Sequence, residues 1–230
     1  SYPLKVRKRV EYVTTDMYRP YIDLAKKVFP NANIVVDKFH IVQLLTRELN
    51  KLRINEMKKL NTSSREYKIL KRYWKIPLTK NWELNSIYFY KNIHFKNMTS
   101  SVDILDYMLG KFPNLKEAYD FYQNFLLSIS NNDVAMLEDI LNTRTDEIPM
   151  CFRKSIKSLK KLRKYVVNSL KYDYTNAMVE GKNNKIKVIK RVSYGYRSFR
   201  NFKARIMLME RYKIQKGNIH SYQFAMDAAA

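Results

Sequence analysis

Two short β-branched runs, each ending at an aspartate and separated by one helix's worth of chain, open this sequence and limit what it can fold into. The first is "VEYVTTDM" (residues 10–17). The second is the "IVV" of "NIVVDKFH" (residues 34–36). Between them, "YRPYIDLAKKVFPNA" places Tyr21, Leu24, Ala25 and Val28 at helical spacing, with Pro30 and Asn31 as the stop. Strand, short helix, strand is a βαβ unit, so the strands should be parallel and the crossover right-handed. Two strands alone do not make a stable sheet. Either a partner supplies more strands or the chain is part of a larger α/β domain. The first strand begins barely ten residues after Ser1, which favours the second expectation.

Beyond Phe39 the period becomes helical. Ile41, Leu45, Leu49 and Leu52 form one stripe, with Arg47, Lys51 and Arg53 off it. The stretch 61–95 is looser, aromatic and broken at Pro77, with Trp74 and Trp82 expected in its core. Helices are then expected over "SSVDILDYMLGKF", "NLKEAYDFYQNFLLSI" and "DVAMLEDIL", with Ser101 and Asn114 as candidate N-caps and Gly110 and Pro113 in the intervening turn. "PMCFRKSIKSLKKLRKYVVNSL" reads as one long basic helix. Residues 174–192 form another, capped by Thr175 or Asn176, and a turn around Gly195 leads to a final helix with Phe199, Phe202, Ile206 and Met209 on one side. The fold class is therefore α/β and predominantly helical.

Charge then bounds the partner. The chain carries 44 Lys and Arg against 21 Asp and Glu, a formal charge of +23. A polyanion is the natural partner, nucleic acid first and an anionic membrane surface second; a lysine-rich composition by itself is the bland reading. One cysteine, Cys151, excludes an internal disulfide and any cysteine-based zinc cluster, and His40, His94 and His220 are too scattered for a histidine-only metal site. No apolar run reaches the roughly 18 residues of a membrane span, and no secretory signal opens the chain, so a cytoplasmic location is expected.

The candidate chemistry lies in carboxylates. In parallel sheets, ligand sites form beyond the carboxyl ends of the strands, where Asp16 and Asp37 both fall. Each also suits a helix N-cap, and both readings stay open. Glu180 heads the most basic segment of the chain, "YTNAMVEGKNNKIKVIKRVSYGYRSF". A first-turn acid is ordinary in a helix. Yet Asn176, Asn183, Asn184 and Lys187 share its face at i−4, i+3, i+4 and i+7, and that set suits a cation with phosphates beside it better than a core.

The two blocks "DMYRPYIDLAKKVFPNANIVVDKFHIVQLLTRELNKLR" and "TNAMVEGKNNKIKVIKRVSYGYRSFRNFKARIML" resemble the ISL-three family of bacterial insertion-sequence transposases, DDE enzymes with an RNase H-like catalytic core. The resemblance implies a partial RNase H-like core retaining two parallel strands, with an all-α insertion. On it the chain divides into a core part at 1–54, a helical insertion at 55–165, core helices at 166–215 and a tail at 216–230. It implies Asp16 as the second catalytic Asp and Glu180 as the catalytic Glu, both metal ligands. Asp37 and His40 match an Asp-x-x-His signature that supports the site or contacts DNA, with Asn183 and Asn184 as further support. Lys182, Lys185, Lys187, Lys190, Arg191 and Arg197 become phosphate contacts. Tyr194 and Tyr196 either stack on a distorted terminal base or pack under the turn. The basic helix over 152–170 is expected to line a flank of the DNA.

Two Mg²⁺ (or Mn²⁺) ions, double-stranded DNA at transposon ends and target, and a homo-oligomeric assembly are the implied cofactors and partners. The first catalytic Asp would lie upstream of Ser1, so the chain alone is expected to be inactive and to be the C-terminal portion of the enzyme. A nonenzymatic DNA-binding or assembly module on the same fold is the alternative.

Overall fold

The β-branched runs form the expected pair. In the computed structural model, which describes residues 2–213 and 223–224, β1 (Tyr12–Thr15) and β2 (Asn33–Val36) run parallel in the register Tyr12↔Asn33 to Thr15↔Val36. The tail expected at 216–230, apart from Gln223–Phe224, lies outside the described residues, as does His220. A helical turn, α1 (Leu4–Arg7), precedes β1, and α2 (Arg19–Val28) joins the strands. The expected stripe on α2 is displaced: Tyr21 and Leu24 are exposed, and Ile22 and Ala25 face the core. Ile34, Val35 and Val36 are buried because helices cover the short sheet. Asn168 on a later helix donates its Nδ2 to the Ile34 carbonyl at 2.9 Å, satisfying a strand acceptor from outside the strand pair.

α3 (Lys38–Lys58) carries the stripe Ile41, Leu45 and Leu49, each fully buried. Arg53, expected off the stripe, is itself buried. Its Nη1 donates to the Leu70 carbonyl at 2.6 Å and its Nε to Asn50 Oδ1 at 2.9 Å, so the guanidinium is lodged between α3 and α4 (Arg65–Arg72). Burial lowers its pKa from the usual value. Residues 73–99 hold two 3₁₀ turns, Ile76–Leu78 and Asn81–Glu83. Trp74 and Trp82, expected in the core, are instead 41% and 47% exposed, with the Lys75 and Lys80 ammonium groups over their rings.

α5 (Ser101–Lys111), α6 (Pro113–Ser130) and α7 (Val134–Asn142) follow. The caps differ from expectation. Ser100, not Ser101, closes a reciprocal capping box with Asp103, and α6 starts on Pro113 after Phe112, leaving Gly110 and Asn114 inside helices. The long basic helix is two: a 3₁₀ turn at Met150–Phe152, then α8 (Arg153–Lys161) and α9 (Arg163–Lys171), broken at Leu162 with φ −110° and ψ 16°. One hydrophobic cluster runs from β2 through α3 and α5–α9, with Tyr122, Phe125 and Phe152 its largest members.

The chain forms two compact units, Ser1–Thr175 and Asn176–Ala230. The segment expected at 166–215 contributes to both. The second unit contains α10 (Ala177–Val192), α11 (Phe199–Arg211) and a short antiparallel pair, β3 (Tyr212–Lys213) with β4 (Gln223–Phe224). Within it Ile189 is buried, and the Lys185 ammonium donates to the Met209 carbonyl at 3.4 Å.

Candidate active site

In the first unit, strand register builds the site. Because Thr15 pairs with Val36, the residues that follow, Asp16 and Asp37, emerge side by side at the carboxyl end of the sheet. Parallel pairing continues one step further, with the Asp37 amide donating to the Thr15 carbonyl at 3.1 Å. Beyond this the two acids differ. Asp37 is buried, and its Oδ1 accepts from the Phe39 amide at 2.7 Å, making it the N-cap of α3. Asp16 does not cap α2, whose N-cap position is Tyr18; its side chain stays about half exposed, at 49%.

His40, in the first turn of α3, faces Asp16. Its Nε2 lies 2.9 Å from Asp16 Oδ1. The structure thus brings Asp16, Asp37 and His40 together at one strand end. It adds neighbours that sequence reading passed over. Lys38 donates to Asn132 Oδ1 at 2.8 Å and pairs with Asp173 at 3.5 Å, and the rings of Tyr18 and Phe39 stand exposed, that of Phe39 edge-on to His40 at 5.5 Å. Their signal was sequence adjacency to the two aspartates.

In the second unit, Glu180 sits in the first turn of α10, where its amide closes the first turn onto the Asn176 carbonyl at 2.9 Å. Asn176 occupies the N-cap position without a side-chain capping bond. At about 100° per residue, Asn183, Asn184, Lys187 and Arg191 fall within about 60° of Glu180, while the buried Ile189 lies opposite. The face that carries Glu180 is therefore the exposed one. Lys182, Lys187, Lys190, Arg191 and Arg197 are exposed as well, and between Gly181 and Met209 nine basic residues occur with no acid.

The turn after α10 separates the two tyrosines. Tyr194 has φ 52°, is fully exposed and precedes Gly195 at φ 102°. Tyr196 is partly buried. Its hydroxyl is 2.7 Å from Ser193 Oγ, and its ring packs on Phe202 at 4.9 Å.

For a divalent ion, the donor chemistry suits Mg²⁺: carboxylate oxygens, half or fully exposed, with amides and cations alongside. Among the described residues no group of three His, Cys, Asp or Glu is arranged to hold a metal. Asp16 belongs to the first unit and Glu180 to the second.

Comparison with known proteins bears on the whole chain. The family model DDE_Tnp_ISL3, described as "Transposase", matches residues 1–206. A protein of Lactococcus lactis subsp. lactis named "ATP-dependent protease" is 31% identical over 201 residues, covering 84% of this chain and 62% of its own length. The chain thus spans less than two thirds of that relative. No solved structure matches. No helix among the described residues is long and apolar enough to cross a membrane.

Proposed function

This chain belongs to the ISL-three family of DDE transposases, and from that premise we propose that the protein carrying it binds transposon-end DNA and catalyses phosphodiester cleavage and strand transfer. The observation that carries the reading is the strand-end cluster. Asp16 is a half-exposed carboxylate at the carboxyl end of a parallel strand, beside a capping Asp37 and with His40 Nε2 2.9 Å from its Oδ1. In α/β folds ligands bind beyond the carboxyl ends of parallel strands, which is where this carboxylate lies.

In this reading Asp16 and Glu180 are two of the three metal-binding carboxylates of an RNase H-like core. Mg²⁺, when bound, activates the attacking water or 3′-hydroxyl and stabilises the leaving oxygen. The chain's own residues position and neutralise. Lys182, Lys187, Lys190, Arg191 and Arg197 grip phosphates near the scissile bond, Lys185 adds charge beside them, and Asn183 and Asn184 orient groups around Glu180. Tyr194 is the ring available for stacking on a terminal base, whereas Tyr196 is committed to the turn. The working enzyme is a homo-oligomer acting on DNA in the cytoplasm.

The name of the Lactococcus relative suggests ATP-driven proteolysis instead. The four glycines here, Gly110, Gly181, Gly195 and Gly217, form no G-x-x-x-x-G-K-S/T phosphate loop, and the long acid-free basic stretch after Glu180 favours a polyanionic substrate over a peptide.

In the full-length protein, Asp16→Asn and Glu180→Gln are each expected to reduce cleavage of labelled transposon ends by at least about 1,000-fold while end binding changes less than about threefold. Undiminished cleavage by either variant rejects the assignment. The 230-residue chain alone is expected to show no Mg²⁺-dependent nicking. Nicking that disappears with Glu180→Gln would show that a partial site suffices.

A further inference from the structure

We infer that the Asp37-x-x-His40 stretch is a device for orienting a carboxylate: Asp37 fixes the start of α3, and His40, one turn in, holds Asp16 by one oxygen. The inference rests on the reading of Asp16 as a catalytic carboxylate and assigns His40 as its positioning residue. It also decides between the two roles open to this stretch, site support and DNA contact, in favour of support.

Three observations carry it. Asp37 is buried, and its Oδ1 is taken by the Phe39 amide at 2.7 Å while its carbonyl accepts from the His40 amide at 3.1 Å, so the first turn of α3 is fixed on both sides of Phe39. Parallel pairing, extended by the Asp37 amide on the Thr15 carbonyl, sets that turn against the end of β1. His40 then reaches Asp16 Oδ1 at 2.9 Å through Nε2, and its side chain is 28% exposed against 49% for the aspartate it holds. An aspartate just past a strand end has several staggered rotamers open to it, and a close polar contact to one oxygen selects among them. The spacing follows from this geometry. A cap residue followed by a residue three positions on places that side chain in the first helical turn, the part of α3 nearest the neighbouring strand end. Phe39, between them, points its ring outward and is 58% exposed.

A ligand or reacting carboxylate held by such a partner loses on the order of 10- to 100-fold in function when the partner is removed. The test uses the full-length protein with His40→Leu, which removes the donor, and His40→Gln, whose carboxamide nitrogen replaces Nε2. Cleavage of a labelled transposon end is measured against Mg²⁺ concentration, and end binding is measured in Ca²⁺. His40→Leu is expected to cut at least 10-fold more slowly and to need more Mg²⁺ for half-maximal rate, with end binding within about twofold of wild type. His40→Gln is expected to recover most of the loss.

A metal-free readout accompanies this: thermal unfolding of the 230-residue chain carrying Asp16→Asn, His40→Leu or both. Coupled partners should give a double variant hardly less stable than the worse single one. Wild-type cleavage by His40→Leu, no better cleavage by His40→Gln than by His40→Leu, or additive losses in unfolding temperature overturns the inference. A selective loss of end binding by His40→Leu overturns it in favour of a DNA contact. If Asp16→Asn and Glu180→Gln themselves cleave normally, the catalytic reading fails first. If they are dead while His40→Leu is active, only the positioning role fails.

Discussion

Tyr194 and Tyr196 are two residues apart and have opposite fates. The left-handed backbone at Tyr194 and Gly195 turns one ring wholly into solvent, while the next tyrosine folds back onto Ser193 and Phe202. Tyr194→Ala should therefore change stability by less than about 0.5 kcal/mol. It should nonetheless weaken contact with an unpaired terminal base by about 1–3 kcal/mol, read from a 2-aminopurine placed at the transposon end. Tyr196→Ala should do the reverse and destabilise by about 1 kcal/mol or more in urea unfolding. Cys151 is a second residue whose environment decides its behaviour. Burial, with the charges of Glu48 and Glu117 adding to it, pushes its thiol up from 9.0 to about 11. The neutral thiol is the form the fold favours, so its contribution to stability is complete below pH 9.0 and is lost as pH rises toward 11. At pH 8 alkylation of the native chain should run about 100-fold slower than that of the unfolded chain, and equal rates would show the thiol to be open.

Elements were legible where local chemistry and tertiary packing agree. The β-branched runs ending in aspartate became β1 and β2, and Asp37 became the cap of α3, because both signals are local. Asp37→Ala should accordingly cost about 1–2 kcal/mol in denaturant unfolding, the cost of a lost cap at a buried position. The break between α8 and α9 was not legible. The apolar spacing of Ile156, Leu159, Leu162 and Val166 continues across it. What bends the chain at Leu162 goes with distant partners: Arg163 pairs with Glu138 at 2.8 Å and donates to Asn142 at 2.9 Å, while Lys160 reaches the Thr143 carbonyl. Arg53 escaped for the same reason, since the carbonyl that accepts it lies on another helix. At the candidate site, residue types and strand ends pointed to Asp16, Asp37 and His40. The 2.9 Å approach of His40 Nε2 to Asp16 depends on strand register and helix start together, and no single stretch of sequence states it.

At the scale of the molecule the question is how a charge of +23 is distributed. Residues 176–230 hold twelve basic residues against three acids in a quarter of the length, so the second unit has about twice the charge density of the first. The first unit nonetheless has its own concentrated patch. From Arg153 to Lys164 there are seven basic residues and no acid. The fold divides them into two sets. Arg153, Lys160 and Arg163 are tied to backbone or side-chain acceptors, whereas the ammonium groups of the exposed Lys154, Lys157, Lys161 and Lys164 make no hydrogen bond or ion pair to the described residues. Lys154, Lys157 and Lys161 also share one face of α8, at i, i+3 and i+7, opposite the buried Ile156 and Leu159. A solvated face and a phosphate-binding face have the same composition, and salt distinguishes them. Each phosphate contact to duplex DNA contributes about 0.9 to the slope of log affinity against log salt. Replacing these four lysines by glutamine should lower that slope by about 3.6, equally for transposon-end and unrelated DNA, because phosphate contacts carry no sequence information. Replacing Lys182, Lys187 and Lys190 should lower it by about 2.7. An unchanged slope after the α8–α9 replacement would assign those lysines to solvent and leave DNA affinity to the second unit.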